Sequence, residues 1–153
     1  MGDALRRRIR QTHFQSPVQE AVLNLLVAAN YLREQSEKRV APFGVTLPQY
    51  NVLRILRGVH PAGHPRRDIA ERMLDRAPDV TRIIDRLEEK KLVERDRTGS
   101  DRRHSITRIT SEGLALLQRM DPSMDEAFSL LRDRLTLRDS RELSRICEKI
   151  YDE

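Results

Sequence analysis

The chain has 153 residues and an excess of five positive charges, which suits one domain with a nucleic acid or another anionic partner. Its single cysteine excludes an intramolecular disulfide, and no apolar run approaches the roughly 20 residues of a membrane span. The basic N-terminus lacks the hydrophobic stretch of a signal peptide, so we expect a cytoplasmic protein with no membrane partner.

The first part of the chain predicts a basic arm and then a long helix. Residues 1–15 include four arginines, and their order is left open. From Val18 to Leu32 apolar residues recur at helical spacing along two adjacent stripes. A helix that is apolar on two sides has to bury both, either within its own domain or against a second copy. We expect it to end near Arg39, before the helix-breaking run APFG at 41–44.

Three helices are predicted over residues 46–90. The first begins at Thr46, which opens a T-x-x-Q capping box, and ends at Gly58. A short helix follows at about 65–74. The third, at about 78–90, has the clearest periodicity, because its apolar residues recur at i, i+3, i+4 and i+7 and leave a polar face outward. That stripe consists of Val80, Ile83, Ile84 and Leu87.

A β-hairpin is predicted directly after this helix. Residues 92–96 and about 103–109 are short β-compatible runs. The turn between them, Arg97–Arg102, is rich in arginine and contains Gly99, which can adopt the positive φ of a tight reversal. We interpret this narrow, positively charged ribbon as a wing.

The C-terminal part of the chain predicts two further helices. Thr110 caps the first of them. Pro122 lies inside it and predicts a kink or a restart, because an interior proline costs about 3 kcal/mol, and SMDE at 123–126 offers a capping box for that restart. The last helix, at about 138–151, is amphipathic; its stripe consists of Leu143, Ile146, Cys147 and Ile150.

Two short helices joined by a tight turn, the second with a polar outer face, are typical of a helix-turn-helix. The major groove of B-DNA admits one helix, and arginine at the tip of a ribbon can enter the minor groove, where A·T tracts concentrate negative potential. We expect Asp101 to hold one arginine of the turn in position. The candidate DNA-binding residues are Asp79, Thr81, Arg82, Asp85, Arg86, Arg97, Asp101, Arg102 and Arg103.

The segments LPQYNVLRIL, DIAERM and DVTRIIDRLEEKKLVERDRTGSDRRHSITRITSEG resemble the MarR family of bacterial transcription regulators, over roughly Thr46–Leu117. The resemblance implies a winged helix-turn-helix homodimer whose terminal helices interleave. It also implies a repressor of a double-stranded, pseudo-palindromic operator, released by a small phenolic or aromatic effector. By the same motif, Arg103 would be the minor-groove residue and Asp101 its buttress.

Two departures from the family pattern affect what the resemblance implies about DNA binding. Family members usually have Lys-Gly at the end of the recognition helix, where this chain has Lys90-Lys91. Glycine permits a left-handed cap, so Lys91 is expected to cost about 1 kcal/mol or to change how the helix meets the strand. Pro78-Asp79 replaces small hydroxyl residues. Asp79 favours the helix N-terminus but repels a close phosphate, and it could instead accept a hydrogen bond from cytosine N4.

We therefore predict a mainly α-helical fold with a small β-hairpin wing, in which a winged helix-turn-helix joins a helical dimerisation domain. The divisions are an N-terminal arm and dimerisation helix at 1–45, the DNA-binding domain at 46–110, and C-terminal dimerisation helices at 111–153. The effector pocket is predicted at Asn30, Tyr31, Tyr50 and Arg54. For the two tyrosines, core packing is favoured over a role in this pocket.

No cofactor and no metal site are predicted. His60 and His64 are separated by a proline and a glycine, so we do not expect them to share one face of a helix as a pair of metal ligands. An enzyme is not expected, since the sequence lacks a glycine-rich phosphate loop, a nucleophile elbow and paired carboxylates. The alternative function is a ligand-insensitive architectural or protein-partner module on the same fold.

Overall fold

The computed structural model describes residues 3–75, 79–96 and 105–152, apart from the side chain of residue 130. The helices in these ranges are α1 (Asp3–Ile9), α2 (Pro17–Val40), α3 (Leu47–Arg57), α4 (Arg66–Arg72), α5 (Val80–Glu89), α6 (Ser111–Arg132) and α7 (Leu137–Tyr151). The strands are β1 (His64–Pro65), β2 (Val93–Arg95) and β3 (Ile106–Ile109). The mainly helical fold with a small antiparallel sheet is confirmed. Among the described helices, none has the length and apolar character needed to cross a membrane.

The chain separates into two compact units, Met1–Arg39 and Val40–Glu153; the predicted three-part division stays a prediction. In the first unit, Asp3–Ile9 of the basic arm form α1, and the guanidinium of Arg6 lies 5.7 Å from the ring centre of Phe14. Helix α2 extends one residue beyond the predicted span at each end. Apolar side chains remain exposed along it, including Val18 and Leu26.

The second unit holds the hydrophobic core. The predicted capping box is present, because the Thr46 side chain accepts from the backbone of Gln49 and the Gln49 side chain accepts from the backbone of Thr46. Helix α3 packs against α4, α5, β3 and α6, so it lies at the centre of this unit. The largest fully buried apolar side chains are Leu53, Leu56, Ile69, Ile84, Leu87, Leu117 and Met120.

The sheet has the strand order β1-β3-β2 and is antiparallel throughout. The two strands of the predicted hairpin are confirmed, with Val93 opposite Ile109 and Arg95 opposite Thr107. Strand β1 was not predicted; it places His64 opposite Thr107 on the other side of β3. A strand of two residues has no alternation to detect, and only its pairing defines it. The predicted turn at 97–102, with Gly99, lies outside the described residues.

The start of α6 is fixed by a close approach to the sheet. Thr110 caps the helix, because its hydroxyl accepts from the backbone N–H of Gly113 at 3.1 Å. A Cβ atom on Gly113 would overlap the carbonyl oxygen of Leu92 and lie 2.7 Å from Cγ1 of Ile109. The glycine of the I-T-x-x-G motif is therefore required by space rather than by its backbone angles.

Helix α6 runs without a break through Pro122, so the predicted restart at 123–126 is wrong. Met120 and Met124 are buried on either side of the proline. Asp121 accepts from Nη1 of Arg57 on α3 at 2.9 Å. Burying one large apolar side chain contributes about 1.5–3 kcal/mol to the stability of the fold. The burial of Met120 and Met124 therefore offsets the roughly 3 kcal/mol cost of the proline.

Candidate nucleic-acid interface

Helix α5 begins at a side-chain cap and buries one face. The carboxylate of Asp79 accepts from the backbone N–H of Arg82 at 3.2 Å, which satisfies one of the free amide groups of the first turn. Val80, Ile84 and Leu87 are buried. This packing sets the rotation of the helix, so its opposite face is held towards solvent.

The outward face of α5 is positively charged. Thr81, Arg82 and Arg86 are exposed, and the two arginines lie one helical turn apart on the same side. Both guanidinium groups can therefore reach a single flat target such as the floor of a groove. These three predicted residues are brought together on one surface.

Asp85 is held differently from its neighbours on α5. Nη2 of Arg95 on β2 donates to Oδ1 of Asp85 at 2.5 Å, and Nη1 lies 3.4 Å from Oε2 of Glu88. The arginine side chain is only 21% exposed, so water screens this pair less than a surface pair. Arg95 ties strand β2 to helix α5. Sequence reasoning missed it because partners ten positions apart meet only when the hairpin packs on the helix.

A second missed residue lies on α4. Nη1 of Arg66 donates to the hydroxyl oxygen of Thr81 at 3.0 Å, and both side chains are exposed. Its neighbour Arg67 instead turns to Glu71 on its own helix at 2.8 Å, a hydrogen bond that raises the pKa of Arg67. The run HPRRD contains both arginines, but nothing in the sequence distinguishes which of them reaches α5.

The base of the wing is closed by three hydrogen bonds around Asp96. Its backbone N–H donates to the carbonyl of Ile106 at 2.9 Å, its carbonyl accepts from the Ser105 hydroxyl at 3.0 Å, and its carboxylate accepts from Arg108 at 3.2 Å. The wing tip therefore starts from a firmly paired base. The predicted residues Arg97, Asp101, Arg102 and Arg103 lie outside the described residues.

The end of α5 shows how the chain passes from helix to strand. Lys91 has φ 59°, in the left-handed region that favours glycine. The next amide, that of Leu92, donates back to the carbonyl of Leu87 at 3.0 Å, and the Lys91 amide donates to Glu88 at 2.8 Å. The left-handed cap is thus retained with lysine in the glycine position. Because lysine has a Cβ atom, this conformation carries the strain expected of a non-glycine residue.

The predicted effector residues fall in different compact units. On α3, Nη1 of Arg54 donates to the Tyr50 hydroxyl at 3.1 Å, and its guanidinium lies 5.9 Å from the ring centre. Tyr50 is buried whereas Arg54 is exposed, so the buried tyrosine holds an exposed guanidinium through its hydroxyl. Asn30 and Tyr31 are exposed on α2. A pocket formed by all four stays a prediction.

These elements are similar in sequence and in structure to those of a known protein family. The sequence profile of the MarR family matches residues 43–104, which include α3, α4, α5 and strand β2. The HTH-type transcriptional regulator MhqR of Bacillus subtilis (strain 168) is 27% identical over 106 residues, which cover 67% of this chain and 72% of MhqR.

Two solved structures share the fold. A MarR transcription factor from Planctomyces limnophilus is 35% identical, with a TM-score of 0.69 and coverage of 89% of this chain and 98% of that one. MepR of S. aureus, solved as a DNA complex, is 21% identical with a TM-score of 0.74, covering 84% of this chain and 93% of MepR. The match to MepR shows the fold alone.

Proposed function

The chain belongs to the MarR family of transcription regulators, and from this premise we propose that it is a homodimeric repressor whose α5 enters the major groove of its operator. The observation that carries the proposal is the division of α5 into a buried apolar face and an exposed face with Thr81, Arg82 and Arg86. Because α5 is fixed by its packing on the hydrophobic core, its outward side chains can donate hydrogen bonds to DNA without a rearrangement of the helix. Arginine commonly binds guanine O6 and N7 in this groove.

The wing supplies the second contact in this proposal. The paired base at Asp96 supports this placement; Arg97, Arg102 and Arg103 would reach the adjacent minor groove, with Asp101 as the buttress of Arg103. Arg103 is the residue on which we expect binding to depend most. Narrow minor grooves concentrate negative potential and favour arginine there.

Asp79 and Asp85 take supporting roles in the proposal. The carboxylate of Asp79 is engaged as the cap of α5, and that of Asp85 is engaged by Arg95. Neither is free to approach a phosphate without giving up its intramolecular partner. We expect both to set the position of the outward arginines, and Asp79 to accept from cytosine N4 only if the cap opens.

Dimerisation is supported by apolar side chains that the described chain leaves uncovered. Phe128 on α6 and Leu143, Ile146 and Ile150 on α7 are all exposed. Monomers rarely leave so many large apolar groups along one segment in water. A two-fold pair would place two α5 helices about 34–36 Å apart, one turn of DNA, and so select a pseudo-palindrome.

Release by an effector is supported by the Tyr50–Arg54 pair, which presents a guanidinium beside an aromatic ring. That combination suits a small phenolic or aromatic compound, especially one with a negative charge. Such a compound would act by favouring a dimer shape that no longer matches the operator spacing. The alternative, a ligand-insensitive architectural module, predicts DNA binding that no small molecule changes.

The test starts from a random library of duplex DNA. We expect the purified protein to retain fragments with two half-sites about 10 base pairs apart, and its affinity for them to fall steeply with salt. Arg103→Ala and Arg86→Ala should each weaken binding about tenfold or more, whereas Arg119→Ala, an exposed arginine on α6, should not. Repeating the titration with small phenols separates effector release from the ligand-insensitive alternative.

Two results would contradict the proposal. One is the absence of any enriched sequence after repeated selection. The other is an Arg103→Ala variant that binds the selected fragment as tightly as Arg119→Ala does, which would remove the wing from DNA recognition.

A further inference from the structure

We propose that Arg66 and Thr81 act as one DNA-reading unit, in which Arg66 contacts a backbone phosphate and fixes the Thr81 hydroxyl as a hydrogen-bond donor to a base. The inference rests on the proposed entry of α5 into the major groove. Its basis is one contact between two helices, the hydrogen bond from Nη1 of Arg66 to the hydroxyl oxygen of Thr81 at 3.0 Å.

The direction of this hydrogen bond follows from the chemistry of its partners. A guanidinium group has only N–H donors, so the Thr81 oxygen has to accept. A hydroxyl carries a single proton, and with a cation on one lone pair that proton points away from the guanidinium. Arg66 therefore occupies one of the two acceptor positions of the hydroxyl and favours its use as a donor to a base.

The position of Thr81 in the helix leaves that proton available. Threonine inside a helix often donates to the carbonyl of the preceding turn. Thr81 is the second residue of α5 (Val80–Glu89), where the helix has no preceding turn. The side chain is also exposed, so the hydroxyl faces solvent in the free protein and a ligand in a complex.

The placement of the two side chains suits the two parts of DNA. In a helix-turn-helix, the first helix crosses the sugar-phosphate backbone and the first turn of the second helix meets base edges. Arg66 is the first residue of α4 and Thr81 lies in the first turn of α5. Only one of the five guanidinium N–H groups is needed for Thr81, so others remain for a phosphate oxygen.

This arrangement carries a consequence for sequence preference. A donor in the major groove selects guanine N7 or O6, adenine N7 or thymine O4, and it does not match the N4 amino group of cytosine. Lysine could not replace Arg66, because an ammonium group is a point charge without the planar fork that holds two acceptors at once.

The test compares Arg66→Lys, Thr81→Val and the double variant on two duplexes of equal length. One is the fragment that the unchanged protein selects from a random library, and the other is its scrambled version. Affinities are measured by fluorescence anisotropy at several salt concentrations. We expect each single variant to lower the ratio of selected to scrambled affinity about tenfold. The double variant should lose no more than either single one, since both remove the same contact.

Three measurements separate this role from a structural one. Binding of Arg66→Lys to the scrambled duplex should stay within about threefold, because lysine keeps the charge that neutralises a phosphate. Thr81→Ser keeps the hydroxyl and should retain the ratio. Arg67→Lys is the matched control, because its neighbouring guanidinium is 87% exposed and engaged by Glu71, and it should also retain the ratio.

The inference is overturned if the losses of the two single variants multiply in the double variant, or if Arg66→Lys behaves as Arg67→Lys does. It is also overturned if both single variants share a lowered thermal unfolding midpoint, because the pair would then serve stability. A library from which the unchanged protein retains nothing would instead defeat the proposed function. A retained fragment with normal Arg66→Lys binding defeats only the role of Arg66.

Discussion

Helices α5 and α7 have the same kind of apolar stripe and opposite surroundings. In α5, Ile84 and Leu87 are 1% and 0% exposed, whereas Ile146 and Ile150 in α7 are 45% and 61% exposed. Helix α5 packs against α3, α4 and β2. Among the described residues, the stripe of α7 stays largely uncovered. The comparison teaches that apolar spacing indicates that a helix face is to be buried, but not which molecule buries it.

The largest expected effect is a difference in how much the two stripes contribute to the free energy of unfolding. Leu87→Ala leaves a cavity in the core of the second unit and should lower the free energy of unfolding by about 2–5 kcal/mol. Leu143→Ala on α7 removes the same atoms from a half-exposed position and should cost less than about 1 kcal/mol in the monomer. Urea unfolding at a low and a high protein concentration measures both.

Protein concentration is what distinguishes the two variants. The Leu87→Ala loss should be the same at both concentrations, because its partners belong to the same chain. The Leu143→Ala loss should grow at the higher concentration, where a second copy covers α7. Equal and large losses for both variants at low concentration would show that α7 is buried within its own chain.

The next effect concerns assembly. Ile146→Glu combined with Ile150→Glu places two charges on the α7 stripe, and an unpaired charge in an apolar interface is strongly unfavourable. We expect the dimer dissociation constant to rise at least about tenfold, equivalent to roughly 1.4 kcal/mol, as measured by analytical ultracentrifugation. Arg141→Glu is the control, because residue 141 lies on the opposite side of the helix. An unchanged dimer would place the interface elsewhere.

The smallest effect compares how the two helices end. Helix α5 passes into β2 through Lys91 at φ 59°, whereas α7 ends at Asp152 with φ −82°. Lys91→Gly should raise the free energy of unfolding by about 1 kcal/mol, because it removes the left-handed strain. Glu89→Gly, at the last residue of α5, should instead lower it, by less than about 1 kcal/mol. Urea unfolding measures both, and a destabilising Lys91→Gly would indicate that the Lys91 side chain itself contributes to folding.

The prediction from sequence was accurate where a local signal exists. The α5 stripe and the capping box at Thr46 follow from residues within a few positions of one another, and both are present. Pro122 shows the opposite case. Its local signal predicted a kink or a restart, but the helix does not restart, because the buried Met120 and Met124 and the Arg57–Asp121 ion pair hold it together. Distant contacts outweighed the local preference.

The residues of the candidate interface also fall into two groups, those that a local sequence signal predicts and those that it does not. The outward residues Arg82 and Arg86 could be named from helical periodicity alone, because a helix that buries one face exposes the other. The contacts of Arg66 with Thr81 and of Arg95 with Asp85 join residues on different elements. No spacing rule connects them, since their meeting depends on how the helices and strands pack.

By itself, the order of residues determined helices α2 to α5 and α7, the caps at Thr46 and Thr110, and the charged face of α5, because these depend on interactions within one or two turns of the chain. Only the tertiary structure decided that Lys91 takes a left-handed conformation, that Gly113 must lack a side chain, and that Arg66 rather than Arg67 reaches Thr81. The physical reason is the range of the forces involved: hydrogen bonds and close packing act over a few ångströms, so their partners are known only once the fold brings distant residues together.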